Sequence, residues 1–157
     1  MIKDSGARKQ FPSGAVRDIS KGKGRCDLLP LGEVAELLGS PCLSYIALFQ
    51  NDPAPQHLQT AMVEFIAESA FPDAWTAVLE VSVHFEEGCE KYGEDNWQKG
   101  IPVKHYIDSG VRHYLKHLRG DDDERHDRAF LWNLLCAMWT TRNMPELVRG
   151  MPELVGE

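Results

Sequence analysis

The chain has 157 residues, of which 43% are hydrophobic, and it carries a formal net charge of −7. This length and apolar content suit one domain with a single core. The negative charge disfavours nucleic acid as a partner, and neither a membrane span nor the apolar segment of a signal peptide is present, so we expect a cytoplasmic protein that does not bind a membrane.

The first 30 residues are rich in Gly, Ser and Lys and show no sustained apolar period. We therefore expect residues 1–30 to form an extended, basic N-terminal arm that ends at Pro30. Within this arm, Lys21, Lys23 and Arg25 are candidates for closing over an anionic substrate. A solvated basic segment without such a role remains the alternative.

Helical periodicity organises the rest of the chain. A short helix over 31–38 ends at Gly39, a turn follows at 51–55, and longer helices are expected over 56–70, 73–92, 103–119 and 123–142. No segment alternates as a strand does, so the predicted fold is all-α, a bundle of four or more helices within a helical domain at 31–142. Residues 143–157 repeat MPELV around prolines and are predicted to be a loosely ordered tail.

Two of these helices extend an apolar stripe into acidic residues. The stripe through Trp75 and Leu79 reaches Glu86, and the stripe through Phe130 extends backwards to Asp127. Carboxylates gathered in a poorly hydrated cleft repel unless cations neutralise them, and Mg²⁺ and Mn²⁺ prefer oxygen ligands. The candidate metal ligands are Glu86, Glu87, Glu90, Glu124 and Asp127. The alternative is that Glu87 and Glu90 are solvated and that Glu86 only lies at the solvent-exposed end of the apolar stripe.

Cationic and aromatic side chains near these acids are candidates for substrate binding. Arg112 and Lys116 fall on one polar line of the 103–119 helix with His113 adjacent, and Lys91 and Lys99 flank the acidic loop. Each of these charges also fits a solvated surface.

An aromatic residue and a histidine pair need separate consideration. Trp97 suits either stacking on a purine or packing between helices. His113 and His117 form H-x-x-x-H, but Tyr114 follows the first histidine, which disfavours a zinc metalloprotease.

Several motifs carry a resemblance to known families. E-E-x-x-E at 86–90 followed by E-x-x-D at 124–127 resembles the signature of the all-α nucleoside triphosphate pyrophosphatases of the MazG type. Four further runs resemble the phage dATP/dGTP diphosphohydrolase family, the MazZ-type enzymes. These runs are GKGRCDLLP, EKYGEDNWQKGIP, YIDSGVRHYLKHLRG and HDRAFLWNLL.

The resemblance implies that the chain cleaves dGTP and dATP between the α and β phosphates, giving a monophosphate and pyrophosphate. It implies Glu86, Glu90 and Asp127 as catalytic residues, a divalent ion (Mg²⁺ first, Mn²⁺ or Co²⁺ as alternatives), and a homodimer or homotetramer. In phages that replace adenine with 2-aminoadenine, such enzymes supply dGMP and remove dATP.

The residues alone leave two other functions open. One is a non-enzymatic helical interaction or regulatory module. The other is a phosphohydrolase that releases triphosphate whole. The first predicts no nucleotide turnover, and the second predicts nucleoside and triphosphate as products.

Overall fold

The structure is a computed structural model that describes residues 6–148. A short antiparallel hairpin, β1 (Arg8–Gln10) and β2 (Val16–Asp18), precedes six α-helices in this part of the chain. The helices are α1 (Leu31–Leu38), α2 (Pro41–Asn51), α3 (Pro55–Glu68), α4 (Ala74–Tyr92), α5 (Val103–Arg119) and α6 (His126–Asn143). The all-α prediction is confirmed. No helix among these residues is both long and apolar enough to cross a bilayer.

Helix α2 is an element that the periodicity analysis does not predict. It begins at a strong local signal, because the Ser40 side chain accepts a hydrogen bond from the Leu43 N–H at 3.1 Å and Pro41 occupies the first helical position. The predicted turn follows between α2 and α3. The two helices then pack together against α1 and α6.

The core is centred on aromatic side chains from α3, α5 and α6. The Phe65 ring lies 5.9 Å from Tyr114 and 4.6 Å from Phe130, measured between ring centroids. The Tyr114 hydroxyl donates to Glu68 Oε1 at 2.8 Å and lies 2.6 Å from the Ser40 oxygen, so its polar end is satisfied inside the core.

Helices α5 and α6 approach each other closely at Gly110. A Cβ atom at this position would lie 2.9 Å from Leu134 Cδ1 and 3.3 Å from Asn133 Cβ. The absence of a side chain therefore sets the spacing of the two helices. This close approach also fixes Asn133 beside the cavity described below.

Helix α4 does not bury the face that the sequence analysis selects. Its buried residues are Ala77, Val81 and His84, whereas Trp75 is 79% exposed and Leu79 is 70% exposed. The predicted buried stripe is therefore wrong. Glu86 lies on the exposed side of the helix, because the face of α4 with the smaller side chains is the one that packs on the bundle.

The N-terminal arm is folded against the bundle and contains strands that the sequence analysis does not predict. The Asn96 side chain accepts the Val16 N–H and donates to the Val16 carbonyl, both at 2.8 Å. Ser13 donates to the Gly100 carbonyl at 2.5 Å. These bonds place β2 over the loop between α4 and α5.

The segment after α6 contains the first copy of MPELV. It forms a single 3-10 turn, Pro145–Leu147, and the Leu147 side chain lies close to Gly100. The second copy, at 151–155, lies outside the described residues.

Candidate active site

A cavity of about 310 Å³ opens between the hairpin, the second half of α4, α5 and the start of α6. This volume is in the range of small-molecule sites. Six cationic side chains line it: Lys9, Arg17, Lys23, Lys91, Arg112 and Lys116. Four carboxylates line it as well: Asp18, Asp108, Asp123 and Glu124. The cavity thus combines an excess of positive charge with possible metal ligands.

An ion pair inside α5 anchors the arm at one edge of the cavity. Arg112 donates to Asp108 Oδ2 and to the Gly24 carbonyl, each at 2.6 Å. Asp108 Oδ1 in turn accepts the Cys26 N–H at 2.6 Å. The charges of the buried pair balance each other, and the two residues together hold residues 24–26 in place. Only part of the hydrogen-bonding capacity of Arg112 therefore faces the cavity.

Arg17 extends from β2 across the floor of the cavity. Its guanidinium carbon lies 5.1 Å above the Tyr106 ring and 5.8 Å above the Trp132 ring. Nη2 donates to Asn133 Oδ1 at 3.3 Å, whereas the buried Nη1 has no hydrogen-bond partner among residues 6–148. The aromatic rings hold the guanidinium plane in place and leave donors available for an anion.

A hydrogen-bonded chain of polar residues joins α5 to the segment before α6. His113 Nδ1 lies 2.9 Å from His126 Nδ1, and His126 Nε2 lies 2.7 Å from Asp123 Oδ1. Burial lowers the pKa of His113 well below its usual range, and the adjacent His126 lowers it further. His113 is therefore neutral at pH 7.

His84 lines the cavity from α4. Burial lowers the pKa of His84 to about 4, and the nearby Glu87 carboxylate opposes this shift. The neutral ring packs 5.5 Å from the Trp132 ring. Since Gly88 and Lys91 also line the cavity, this face of α4 is the one directed towards it.

Two groups of described residues bring at least three potential ligand atoms within 4.8 Å of one another. The first is His113, Glu124 and His126, and the second is Asp121, Asp123 and His126. Asp121 is already paired with Arg119 through contacts of 2.8 and 2.5 Å. The Glu124 carboxylate makes no hydrogen bond or ion pair within residues 6–148, so the first group is better prepared for a cation.

The cavity gathers part of the predicted site. Lys23, Lys91, Arg112, His113 and Lys116 line it, as does Glu124. Lys23 lies 3.6 Å from Asp18. These residues come from four separate segments, the arm, α4, α5 and the segment before α6, and their roles in binding stay predictions.

The remaining predicted cationic and aromatic residues lie elsewhere. Arg25 pairs with Asp27 through two contacts of 2.8 and 2.7 Å, and Lys21 and Lys99 are exposed. The Trp97 ring packs 5.0 Å from Trp139. None of these predicted residues lines the cavity.

The other predicted carboxylates also lie outside the cavity lining. Glu86 and Glu90 are exposed on α4, and Glu87 is half-buried. Asp127 accepts two hydrogen bonds from Arg125, each of 3.0 Å. Burial raises the pKa of Asp127, but these bonds and the Arg128 N–H hold it below the usual range. Their roles as metal ligands stay predictions.

Sequence reasoning does not select several residues that shape the cavity. Arg17, Asp123 and His126 belong to this set, as does Asn96. The contacts of Asn96 and Arg17 join segments 80 and 116 residues apart, whereas His126 contacts Asp123 and His113, 3 and 13 residues away. A local signal exists only for His126, which sits between two acidic positions in DERHD.

Comparison with known families gives one match. The family described as dATP/dGTP diphosphohydrolase, N-terminal, matches residues 51–148, which is more than half of the chain. No curated protein and no solved structure matches. The matched range includes α3 to α6 and excludes the hairpin that contributes Arg17 and Lys23.

Proposed function

We propose a reaction for this cavity from the premise that the chain belongs to the dATP/dGTP diphosphohydrolase family. In this reaction dGTP or dATP is hydrolysed to the deoxynucleoside monophosphate and pyrophosphate. Water forms a new bond to the α phosphorus, and the bond from that phosphorus to the bridging oxygen of the β phosphate breaks. The observation that carries the proposal is one cavity with six cationic side chains beside a group of metal-ligating residues.

The cationic residues supply the recognition of the triphosphate. Arg17 offers unpartnered guanidinium donors at the cavity floor, and a guanidinium can bind phosphate oxygens in a bidentate manner. Lys116 lines the cavity from α5, and its ammonium group makes no hydrogen bond or ion pair within the described residues. We assign Lys91 of α4 and Lys23 of the arm, which both line the cavity, to the charge of the outer phosphates.

The donor set fits a divalent ion. Glu124 supplies an oxygen without a competing partner, and His113 and His126 supply nitrogens close to it. When bound, such an ion neutralises phosphate charge and lowers the pKa of a coordinated water. The chain's own contribution is to orient the triphosphate with Arg17 and to shield the reacting phosphorus from bulk solvent.

Product analysis tests this function. Purified protein is incubated with each dNTP and with Mg²⁺, Mn²⁺ or Co²⁺, and the products are resolved by anion-exchange chromatography. The proposal expects dGMP or dAMP with an equal amount of pyrophosphate. Nucleoside with triphosphate would instead indicate the alternative phosphohydrolase reaction. No turnover with any ion would favour a non-enzymatic module.

The resemblance to phage enzymes extends the proposal to a biological role. We propose that the reaction supplies dGMP and removes dATP during 2-aminoadenine nucleotide synthesis in the host cytoplasm. Expressing the protein in cells and measuring the dATP and dGTP pools tests this role. Unchanged pools with an active enzyme would contradict it.

The exposed face of α4 supports a homo-oligomer. Trp75, Val78 and Leu79 form an apolar group at helical spacing and are 79%, 60% and 70% exposed, and exposed apolar groups of this kind often mark interfaces. We propose that two copies meet through this face. Light scattering should show a smaller particle for Leu79→Asp, and an unchanged mass would exclude this face as the interface.

A further inference from the structure

The His113–His126 contact has features of a metal site. Because a neutral imidazole carries one N–H, donation from His126 Nε2 to Asp123 Oδ1 at 2.7 Å leaves a lone pair on His126 Nδ1. That lone pair faces His113 Nδ1 at 2.9 Å. Histidines that bind metals usually donate their other N–H to a carboxylate in this way, which fixes the ring and the tautomer.

The spacing of the two nitrogens is compatible with a shared ion. With metal–nitrogen bonds of about 2.1 Å, two ligands at a right angle lie about 3.0 Å apart. The observed 2.9 Å separation is close to this distance, and on ion binding the two rings turn so that both electron pairs point to the ion instead of along the line between the nitrogens. Glu124 brings a carboxylate oxygen within 4.8 Å of a ring nitrogen of each histidine, and it lines the cavity together with His113.

We infer that His113, Glu124 and His126 form a nitrogen-containing metal site that binds a borderline divalent ion such as Co²⁺ or Zn²⁺ more tightly than Mg²⁺. Imidazole suits such ions, whereas Mg²⁺ prefers oxygen ligands and keeps its waters. Asp123 is the positioning residue, acting through His126. The inference deepens the proposed function by naming the class of ion, and it rests on that function only for the ion's catalytic purpose.

Ion binding at this site needs no net loss of a proton. If His126 Nε2 donates to Asp123, the hydrogen bond between the two Nδ1 atoms requires His113 to carry its proton on Nδ1 in the ion-free molecule. On binding, that proton resides on Nε2 of the same ring, and the Nδ1 electron pair is given to the ion.

Co²⁺ binding to the full chain tests the inference directly. Calorimetry measures affinity, and the visible absorption of bound Co²⁺ reports nitrogen ligands. We expect the unsubstituted protein to bind Co²⁺ at least tenfold more tightly than Mg²⁺, and His113→Gln to lower the Co²⁺ affinity at least tenfold and change the spectrum. Asp123→Asn should change the spectrum and lower the affinity about tenfold.

His117→Gln is the matched control. His117 lies one turn further along α5 and packs its ring 5.2 Å from Phe65, so its loss should leave Co²⁺ affinity within twofold. Circular dichroism and thermal unfolding establish that each variant is folded. Should His113→Gln fail to fold, Glu124→Gln provides the second test, since its carboxylate has no partner in residues 6–148.

The outcomes separate the inference from the proposed function. Unchanged Co²⁺ affinity and absorption in folded His113→Gln and Glu124→Gln would overturn the metal site, even if dGTP is hydrolysed with Mg²⁺. Co²⁺ bound through His113 with no hydrolysis of any dNTP would support the site and contradict the function.

Discussion

The second half of α4 and the segment leading into α6 both carry several acidic residues, but they face different surroundings. Glu86 and Glu90 are exposed, whereas Asp123 and Glu124 line the cavity. The first region has the stronger sequence motif, whereas the second has carboxylates that line the cavity. Motif strength alone therefore does not locate the site, because it says nothing about the direction in which a helix face points.

Helical geometry explains the difference. The face of α4 that meets the cavity includes His84, Gly88 and Lys91. At about 100° per residue, Glu86 lies about 200° around the helix from His84, on the opposite side. Glu87 lies nearer to the cavity face, in agreement with its electrostatic effect on His84.

The largest expected effect distinguishes the two acidic regions by activity. We expect Glu124→Gln to lower kcat/KM at least about 100-fold, because it removes the oxygen ligand of the proposed ion site. The motif predicts the greatest loss for Glu86→Gln, whereas the cavity predicts that Glu124→Gln is at least about tenfold more damaging than Glu86→Gln. Steady-state kinetics with dGTP measures this ratio.

A third carboxylate controls for the loss of charge alone. Glu36 is exposed on α1, away from both acidic regions in sequence, and Glu36→Gln should leave the kinetics unchanged. A greater loss of kcat/KM in Glu86→Gln than in Glu124→Gln would indicate that the active site lies at the α4 carboxylates.

The second prediction compares two arginines of the arm. Arg17→Ala should lower kcat/KM for dGTP about 10- to 100-fold, since it removes a buried charge-assisted contact to phosphate. Arg25→Ala should change it less than about threefold, because Arg25 is bound to Asp27 and is exposed. Equal effects in the two variants would mean that the arm acts only through its general positive charge.

The third prediction concerns the cavity face of α4 and the dependence of stability on pH. The folded-state pKa of His84 is about 4 against an ordinary value near 6.5, so the unfolded chain binds more protons between these values. The contribution of neutral His84 to the free energy of unfolding is fully present above pH 6.5, and it is lost as the pH falls towards 4. Between pH 7 and 5 the loss is on the order of 2 kcal/mol.

Urea unfolding at the two pH values measures this loss. His84→Asn should reduce this loss of unfolding free energy. His57→Asn is the control and should not reduce it, since His57 lies on α3 and contacts Asp52 at 3.2 Å. An identical pH dependence in His84→Asn and the unsubstituted protein would show that His84 is not buried as neutral imidazole.

The smallest effect tests the orientation of α4 with two valines three positions apart. Val81 is 2% exposed and Val78 is 60% exposed. Val81→Ala should lower the free energy of unfolding by about 2 kcal/mol, and Val78→Ala by less than about 0.5 kcal/mol in dilute protein. A larger loss for Val78→Ala than for Val81→Ala would indicate that the face of α4 that includes Glu86 is the buried one.

The sequence predicts the helices better than it predicts their faces. Helix α5 has one dominant apolar stripe, which includes the buried Val111, and the predicted Phe130 of α6 is buried as well. Helix α4 has apolar residues on two faces, so periodicity alone does not choose between them. The bulkier face, with Trp75 and Leu79, is the exposed one, and only packing on the rest of the bundle determines this.

The site is predictable only where single segments carry it. Lys116 and Glu124 are predicted from helical spacing and acidic motifs. Arg17 is not, because its role depends on the hairpin lying over α5 and α6 through Asn96 and Asn133. Strands of three residues without apolar alternation leave little local signal, and tertiary contacts supply the rest.

The central claim is that the cavity between the arm, α5 and α6 binds the triphosphate and its ion. A crystal structure with Mn²⁺ and the non-hydrolysable α,β-methylene analogue of dGTP tests it most directly, because anomalous scattering locates the ion. We expect Mn²⁺ bound to Glu124 and the triphosphate in contact with Arg17 and Lys116. Mn²⁺ bound at Glu86 and Glu90, with the analogue outside the cavity, would contradict the account.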